Sequence, residues 1–283
     1  MSSVEVVSSG PLTTIQDLGR PGWGHLGVPR SGAADRTSLV FANRLVGNGD
    51  GAAALETTLS GPRLLFDADT VIALTGATVH ATAGGRPVPM DTAVTVAAGE
   101  VLKVGTAKAG LRTYIALAGG IDAPLTLGSA ATDTLTGLGP ASLHRGDVLK
   151  TRGGRVSGAS APTPLPAKPA KSALVVVLGP RDDWFTDAAI DRFFAQQFSV
   201  TPASNRIGLR LEGPPLERSR GDELPSEAMV PGGIQVPPSG QPILLLADHP
   251  STGGYPVIAV VVEDDLPRAA QLRPGQPVRF AVG

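Results

Sequence analysis

Residues 70–117 read TVIALTGATVHATAGGRPVPMDTAVTVAAGEVLKVGTAKAGLRTYIAL, and this stretch decides the fold class. Short runs rich in Val, Ile, Leu and Thr alternate with turns such as Gly84-Gly85, and the runs lie at 70–76, 78–82, 92–96, 100–104 and 111–117. Apolar runs of this length, bounded by glycine and proline, are typical of β-strands. The stretch therefore predicts a domain built from many short strands.

The composition of the whole chain agrees with this prediction. Its 283 residues include 36 glycines and 26 prolines, well above the usual combined share of roughly 12%. Both residues are costly inside helices, which excludes a helical bundle. Disorder is excluded as well, because 42% of the residues are hydrophobic and only 17% are charged. We therefore expect a mostly β protein with a few short helices.

Charge and cysteine content narrow the class of function. The 24 Lys and Arg residues balance 25 Asp and Glu residues, so nothing favours binding to nucleic acid or to an acidic membrane. The absence of cysteine removes disulfides, zinc-thiolate sites and cysteine nucleophiles. The N-terminus does not resemble a signal peptide, and no apolar run approaches the roughly 20 residues of a membrane helix. We expect a cytoplasmic protein that binds neither nucleic acid nor a membrane.

A change in composition predicts the domain boundary. Residues 153–172, GGRVSGASAPTPLPAKPAKS, offer almost nothing to bury and are typical of an exposed linker. They separate an N-terminal β-unit, 1–152, from a C-terminal β-unit, 173–283. A glycine turn that leads into a strand recurs at 99–102, 146–149 and 275–278, which suggests that the two units are related.

Two helices are predicted from apolar spacing and capping residues. The first covers 32–46, with Ser31 as its cap and Gly47-Asn48 at its end. The second covers 186–197, where Thr186 is the cap and apolar residues recur at helical spacing.

The first candidate site is the glycine-rich segment TTIQDLGRPGWGHLGVPRSGAAD at 13–35. Glycines let the backbone approach a ligand closely, and the polar side chains suit an anion. We select Gln16, Asp17, Arg20 and His25 as substrate- or phosphate-binding residues. The alternative is an irregular connection whose polar groups satisfy its own backbone. The segment lacks the Walker spacing, so it is not a P-loop.

The second candidate site is PSEAMVPGGIQVPPSGQPILLLADHPSTGGY at 225–255. Its apolar strand at 243–247 ends at Asp248 and His249, where Asp248 can serve as a carboxylate base and His249 as an acid or donor. A hairpin turn capped by Asp248 is the alternative. We expect both residues to share one pocket with the polar residues selected at 16–20.

Other residues of the 225–255 segment complete this second site. Thr252 and the Gly253-Gly254 amides can hold an oxyanion or a phosphate. Glu227 precedes a glycine turn and is selected as a third catalytic residue. Gln235 and Tyr255 are selected as binding residues.

A third segment, SNRIGLRLE at 204–212, offers donors for an anion. Strand alternation predicts that Arg206 and Arg210 share one face; a solvated strand face is an equal alternative. His80 and His144 stand alone, and no clustered metal-ligand pattern occurs, so no metal site is predicted.

Several of these segments together resemble one known family. They are TTIQDLGRPGWGHLGVPRSGAAD (13–35), NRLVGN (43–48), ALE (54–56), IALTGA (72–77), AGGID (118–122), SNRIGLRLEG (204–213), ELPSE (223–227), GGIQVPPSGQPILLLADHPSTGGYPVIA (232–259) and LRPGQPVRF (272–280). The family is that of the 5-oxoprolinase C subunit, also described as allophanate hydrolase subunit 2, as the biotin-dependent carboxyltransferase family and as the antagonist of a sporulation-kinase inhibitor. The chain departs from the family at Asn205, commonly Asp, and at Pro250, commonly Gln or another polar residue.

The resemblance implies two cyclophilin-like β-barrel units and a heteromeric complex with the related B subunit. Together with the A subunit, that complex hydrolyses 5-oxoproline to glutamate using ATP, with Mg. The resemblance leaves two alternatives open. One is a carboxyltransferase-type module that meets carboxybiotin, as in urea carboxylase. The other is a non-catalytic regulator that binds a kinase inhibitor similar to the B subunit.

Overall fold

A computed structural model describes residues 2–152 and 173–283, so the predicted linker at 153–172 lies outside the described residues. The described residues form two compact units. The first unit contains the residues up to Arg20 and those from Asp35 to 152, and the second contains Pro21–Ala34 together with 173–283. The second unit therefore includes a short segment from the N-terminal part of the chain.

The first unit consists of strands and one helix. Its strands are β1 (Ser2–Ser8), β2 (Thr13–Gln16), β3 (Ala54–Thr58), β4 (Arg63–Phe66), β5 (Thr70–Thr78), β6 (Ala81–Ala83), β7 (Arg86–Val88), β8 (Ala93–Val96), β9 (Val101–Val104), β10 (Ala109–Leu117), β11 (Ile121–Asp122) and β12 (Val148–Thr151). The helix, α1, spans Arg36–Leu45. Seven strands form one sheet in the order β11-β12-β1-β4-β9-β6-β7, and five form another in the order β2-β3-β10-β5-β8.

Strand alternation builds the core of the first unit. In β1, for example, Val4 and Val6 are fully buried while Glu5 between them is exposed. These side chains belong to one apolar cluster with Leu64, Ile72 and residues of the other strands. Every second side chain of a strand faces the same way, so Val4 and Val6 of β1 both pack into this core.

Helix α1 begins later than the capping pattern predicts. The Asp35 carboxylate accepts hydrogen bonds from the backbone nitrogen of Ser38 at 3.0 Å and from its hydroxyl at 2.7 Å. Asp35 is therefore the cap, and the prediction of Ser31 as cap is wrong. Ser31 instead has a left-handed φ of +53° and directs its hydroxyl elsewhere in the second unit.

The second unit is also mostly strand. Its strands are β13 (Leu174–Leu178), β14 (Phe198–Val200), β15 (Gly208–Glu212), β16 (Glu227–Ala228), β17 (Gly233–Gln235), β18 (Ile243–Leu245), β19 (Thr252–Gly253), β20 (Val257–Val261), β21 (Pro277–Val278) and β22 (Phe280–Val282). Two helices, α2 (Asp187–Ala195) and α3 (Leu266–Ala270), and the 3-10 turns Gly24–Leu26, Asp182–Trp184 and Glu263–Asp265 complete it. Thr186 caps α2 as predicted, accepting from the Ala189 nitrogen at 3.1 Å.

The main sheet of the second unit nearly closes on itself. Its strand order is β21-β14-β15-β18-β17-β20-β13-β22, and the two end strands are separated in the sequence by Arg279 alone. Phe193 of α2 stacks on Phe280 of β22 with ring centroids 4.5 Å apart. The sheet therefore wraps as a barrel around one apolar core.

The predicted fold class, mostly β and barrel-like with a few short helices, is confirmed. Each glycine of the recurring turn, Gly99, Gly146 and Gly275, has a positive φ and precedes a strand. Within the described residues, no helix has the length and apolar character needed to cross a membrane.

Candidate functional site

A buried ion pair joins two of the candidate segments within the second unit. The Arg206 guanidinium donates from Nε to Oδ2 of Asp248 at 2.8 Å and from Nη2 to Oδ1 at 3.0 Å. Nη2 also donates to the carbonyl of Gly32 at 2.6 Å, and the Ser31 hydroxyl donates to Asp248 Oδ1 at 2.7 Å. Arg206 and Asp248 thus fasten the glycine-rich segment 21–34 to the end of the apolar strand; we call these four residues the clamp.

The burial of the clamp sets its electrostatics. The side chains of Arg206 and Asp248 are 1% and 0% exposed. Charges taken out of water are tolerated only when they are paired and hydrogen bonded, and here the bidentate geometry and two further hydrogen bonds supply that pairing. Asp248 is therefore held as a carboxylate that positions its neighbours.

A second contact attaches the same loop further along. The Ser251 hydroxyl donates to the carbonyl of Gly27 at 3.1 Å. Gly27 has a φ of +75° at the end of the Gly24–Leu26 turn, a conformation that favours glycine. Loop 21–34 is therefore joined to the segment around Asp248 at two separate points.

His249 follows the clamp and is 4% exposed. Its Nδ1 lies 2.8 Å from the carbonyl oxygen of Pro250. A carbonyl only accepts, so this contact favours the tautomer with the proton on Nδ1 and the lone pair on Nε2. With the proton on Nδ1, Nε2 is the ring nitrogen at which the neutral and the charged imidazole differ.

The turn at 252–255 is more open than His249. Thr252, Gly254 and Tyr255 are exposed, and β19 pairs with β16 through Gly253 and Glu227. A Cβ on Gly253 would lie 2.6 Å from Nε2 of Gln235, so only glycine fits there without a shift. The buried Gln235 donates to Met229 Sδ at 3.0 Å and to the Tyr255 carbonyl at 3.4 Å, which fixes the turn from below.

Glu227 is engaged in an ion pair with Arg181. Arg181 Nε donates to Oε2 of Glu227 at 3.1 Å, and Nη2 contacts Oε1. The hydrogen bond from Arg181 holds the pKa of the Glu227 carboxyl below its usual value. Glu227 is therefore a carboxylate at neutral pH and can accept a proton or hold a cation, but it is not a proton donor there.

Gln16, Asp17 and Arg20 make their hydrogen bonds in the first unit. Asp17 accepts from the Ser129 hydroxyl and from the Ala130 nitrogen, both at 2.7 Å. Gln16 Nε2 donates to the Thr132 carbonyl at 2.9 Å, and Arg20 Nη2 donates to the neighbouring carbonyl of Ala131. All three side chains thus hold the loop at 126–132.

Two buried polar atoms in this group have no hydrogen-bond partner within residues 2–152 and 173–283. They are Oε1 of Gln16, which is 0% exposed, and Nη1 of Arg20, which is 1% exposed. The other nitrogen of each group, Nε2 of Gln16 and Nη2 of Arg20, donates to one of two successive carbonyls, those of Thr132 and Ala131. Both side chains therefore end beside the same short stretch of chain. The first unit thus buries one amide oxygen and one guanidinium nitrogen without a hydrogen-bond partner among the described residues.

The remaining predicted residues have simpler surroundings. His25 is exposed, and its Nδ1 lies 3.1 Å from the carbonyl oxygen of Gly22. Arg206 is buried whereas Arg210 is exposed, so the prediction that they share one face is wrong. The reason is that Arg206 precedes β15, where Asn205 turns the chain by accepting from the Ile207 nitrogen at 2.8 Å.

A buried network in the first unit was missed at the sequence level. The Tyr114 hydroxyl donates to Oε2 of Glu56 and accepts from the Asp35 nitrogen, each at 2.7 Å, while Arg112 Nε lies 3.4 Å from Oε1 of Glu56. Burial raises the pKa of the Tyr114 hydroxyl well above its usual value, and Glu56 and Asp35 add to the shift. The sequence ALE at 54–56 belongs to the family pattern, and it was the available signal.

The predicted single pocket that joins Asp248 and His249 to residues 16–20 stays a prediction. Asp248, His249 and residues 252–255 lie together in the second unit with loop 21–34. Within the part of the chain that the structure describes, no three His, Asp or Glu residues are grouped to hold a metal ion.

Comparison with known proteins gives consistent matches along the chain. A family model described as the carboxyltransferase domain, subdomain A and B, matches residues 26–282. The 5-oxoprolinase C subunit of Escherichia coli K12 is 37% identical over 282 residues, which cover 98% of this chain and 90% of that protein. The urea amidolyase of Lachancea kluyveri is 35% identical over 304 residues, which cover 98% of this chain and 17% of that protein.

Solved structures agree with these matches. The crystal structure of the Kluyveromyces lactis urea amidolyase has a TM-score of 0.91 at 34% identity, over 99% of this chain and 18% of that chain. The chain therefore matches most of the length of the 5-oxoprolinase C subunit, but less than a fifth of the urea amidolyases. The family resemblance stated from the motifs is confirmed.

Proposed function

The chain belongs to the carboxyltransferase domain family, and we propose that within it the chain acts as the C subunit of an ATP-dependent 5-oxoprolinase complex. The observation that carries this proposal is the share of each relative's length that the match covers. The match takes in 90% of the 5-oxoprolinase C subunit from Escherichia coli, but only 17% of a urea amidolyase. The proposal includes a cytoplasmic location and a partner, the related B subunit, with the A subunit in the complete complex.

The reaction needs activation because the substrate is a lactam. Resonance makes its carbonyl a poor electrophile, and phosphorylation of the carbonyl oxygen creates a leaving group. In the net reaction, 5-oxoproline, ATP and two water molecules give glutamate, ADP and phosphate: one water opens the ring and the other replaces the phosphate. Negative charge develops on oxygen during this sequence, so fixed donors around that oxygen stabilise the transition state.

We assign substrate contacts to the open turn of the second unit. Thr252, Gly254 and Tyr255 are exposed there, and the backbone amides of Gly253 and Gly254 are suited to an oxyanion or a phosphate. His249 accepts or returns the proton at Nε2. Asp248, because it is fully buried in the clamp, acts as a positioning residue that orients His249 and loop 21–34.

Further residues have supporting roles in the proposal. Glu227, whose carboxyl pKa the hydrogen bond from Arg181 lowers, acts as a base or as a holder of positive charge beside the turn. Gln235 holds the turn in place through its hydrogen bond to the Tyr255 carbonyl. His25 provides an exposed imidazole on loop 21–34. Gln16 and Arg20, with Asp17 holding their loop, offer a buried acceptor and a buried donor within the first unit.

ATP and Mg fit the complex better than this chain. The segment 13–35 lacks the P-loop spacing. The described residues also contain no group of three carboxylate or histidine ligands for a divalent cation. We therefore derive no phosphoryl-transfer step from the residues of this chain and assign the nucleotide to the assembled complex.

The proposal is tested by reconstitution. Purified chain is mixed with the B subunit, with and without the A subunit, and glutamate release is measured with and without ATP. We expect ATP-dependent release only when the full set is present. His249→Gln should lower kcat with little change in assembly, while His144→Gln, an exposed histidine of the first unit, is the matched control.

Two results contradict the proposal. One is the absence of glutamate release with every combination of proteins that co-purify. The other is equal loss of kcat in His249→Gln and His144→Gln, which removes the assignment of His249.

The second candidate function is a carboxyltransferase-type module that receives a carboxyl group from carboxybiotin. The similarity to urea amidolyases favours it. In that case biotin would be carried by another chain. Transfer of labelled carboxylate from free carboxybiotin to urea, in the absence of glutamate release, would favour this function. Association with the B subunit in the absence of either activity would favour the regulator.

A further inference from the structure

A pocket on the second unit lies over β15 and β18 and has a volume of 460 Å³. Its lining includes Thr201, Arg210, Glu212, Ser239, Gln241 and Ile243. Arg210 belongs to the segment 204–212 that the sequence pointed to as a source of anion donors. The proposed 5-oxoprolinase site uses neither Arg210 nor Glu212.

One wall of the pocket is held by hydrogen bonds within the chain. The Gln241 side chain binds the backbone of Gly213 twice, accepting from its nitrogen at 2.9 Å and donating to its carbonyl at 3.0 Å. The Leu211 nitrogen donates to the carbonyl of Pro242 at 2.9 Å. A preformed wall lowers the entropy lost when a small molecule binds.

Two opposite charges face this pocket without a partner in residues 2–152 and 173–283. Arg210 and Glu212 alternate with the buried Leu209 and Leu211 in β15, so both project from the same exposed face. Neither the guanidinium nor the carboxylate has a hydrogen bond or ion pair to a described residue. Their Cα atoms are separated by about 6.7 Å, two residues of an extended strand.

This arrangement selects for the charge pattern of the ligand. A simple anion that binds Arg210 is repelled by Glu212, and a simple cation at Glu212 is repelled by Arg210. A molecule with both a carboxylate and an ammonium group satisfies the two side chains at once, with the guanidinium gripping the carboxylate through two parallel hydrogen bonds. We propose that the pocket formed by Arg210, Glu212 and Gln241 binds a small zwitterion, a free amino acid.

Calorimetric titration of the purified chain tests this proposal. The probes are L-alanine and 4-aminobutanoate, which differ in the spacing of the two charges, together with N-acetyl-L-alanine and L-alaninamide, which each lack one charge. We expect at least one zwitterion to bind saturably at one site. Each single-charge analogue of L-alanine should bind at least about tenfold more weakly if the α-amino acid is the ligand. If 4-aminobutanoate is the ligand, its N-acetyl and amide analogues serve the same purpose.

Variants then locate the site. Arg210→Gln and Glu212→Gln should each weaken binding by at least about tenfold, whereas Arg145→Gln, an exposed arginine of the first unit, should leave it unchanged. The emission of Trp184, buried in the same unit, verifies that the variants fold. The proposal is overturned if neither zwitterion binds, if a single-charge analogue binds equally well, or if both pocket variants bind like the parent. None of these results depends on 5-oxoprolinase activity.

Discussion

Replacing Arg206 by Met should destabilise the second unit strongly. The substitution removes the hydrogen bonds to Asp248 at 2.8 and 3.0 Å and the one to the Gly32 carbonyl at 2.6 Å. It leaves the Asp248 carboxylate, 0% exposed, without its cation. Breaking a buried pair in this way typically lowers the free energy of unfolding by about 3–5 kcal/mol, and we expect Arg206→Met to lie in that range.

The double variant Arg206→Met/Asp248→Leu separates charge pairing from packing. It removes both charges and fills the space with apolar side chains, which is often close to neutral for a buried pair. We therefore expect its stability to lie within about 2 kcal/mol of the parent, the remaining loss coming from the Ser31 hydroxyl and the Gly32 carbonyl. The double-mutant cycle compares the losses in the single variants Arg206→Met and Asp248→Leu with the loss in the double variant. It should give a coupling free energy between the two charges of about 3 kcal/mol or more.

Tryptophan fluorescence during urea unfolding is the appropriate assay. The chain has two tryptophans, and both Trp23 and Trp184 belong to the second unit. Emission therefore reports the unit that contains the clamp, and Trp23→Phe isolates the signal of Trp184. Arg210→Met is the matched control, because this exposed arginine should change the free energy of unfolding by no more than about 0.5 kcal/mol.

The reasoning fails on either of two results. A loss below about 1 kcal/mol in Arg206→Met would mean that the buried carboxylate does not need its cation. A double variant whose loss equals the sum of the two single losses would mean that the two charges do not interact.

Three further predictions concern other residues. Above about pH 10 the unfolded chain ionises Tyr114 while the folded chain keeps its proton, so stability should fall as pH rises, and Tyr114→Phe should flatten that fall in thermal unfolding followed by circular dichroism. Gly139→Ala should lower the melting temperature more than Gly137→Ala, because both have positive φ but only a Cβ at 139 would overlap the Ala131 carbonyl; equal losses would contradict the overlap. Thr186→Ala should lower the free energy of unfolding by about 1 kcal/mol in urea titration, and Thr186→Asn should restore it if the cap is the cause.

The strands were predictable because each signal was local. The runs at 70–76 and 111–117 became β5 and β10, and a capping threonine fixed the start of α2. The start of α1 was missed because two capping residues, Ser31 and Asp35, lie close together. Only the tertiary contact of Ser31 with Asp248 decides between them.

The site was only partly predictable for the same reason. Sequence singled out both Arg206 and Asp248, but their pairing joins residues 42 positions apart and no local pattern encodes it. The exposed state of Arg210 depends on where β15 begins, which the turn at Asn205 sets. Arg181, which pairs with Glu227 and lowers the pKa of its carboxyl, lies in a segment with no pattern of its own.

The inclusion of loop 21–34 in the second unit also affects how the chain is made. Ser31 and Asp248 are 217 residues apart, so at roughly 5–20 residues per second a ribosome adds Asp248 roughly 10–40 s after Ser31. During that interval the nascent first unit carries a loop whose final neighbours have not yet been synthesised. A gene cut within codons 153–172 would separate the loop from its unit permanently, whereas supplying 21–34 as a peptide to residues 173–283 should restore it. Each unit is therefore compact by itself, but the two units do not correspond to two consecutive halves of the coding sequence.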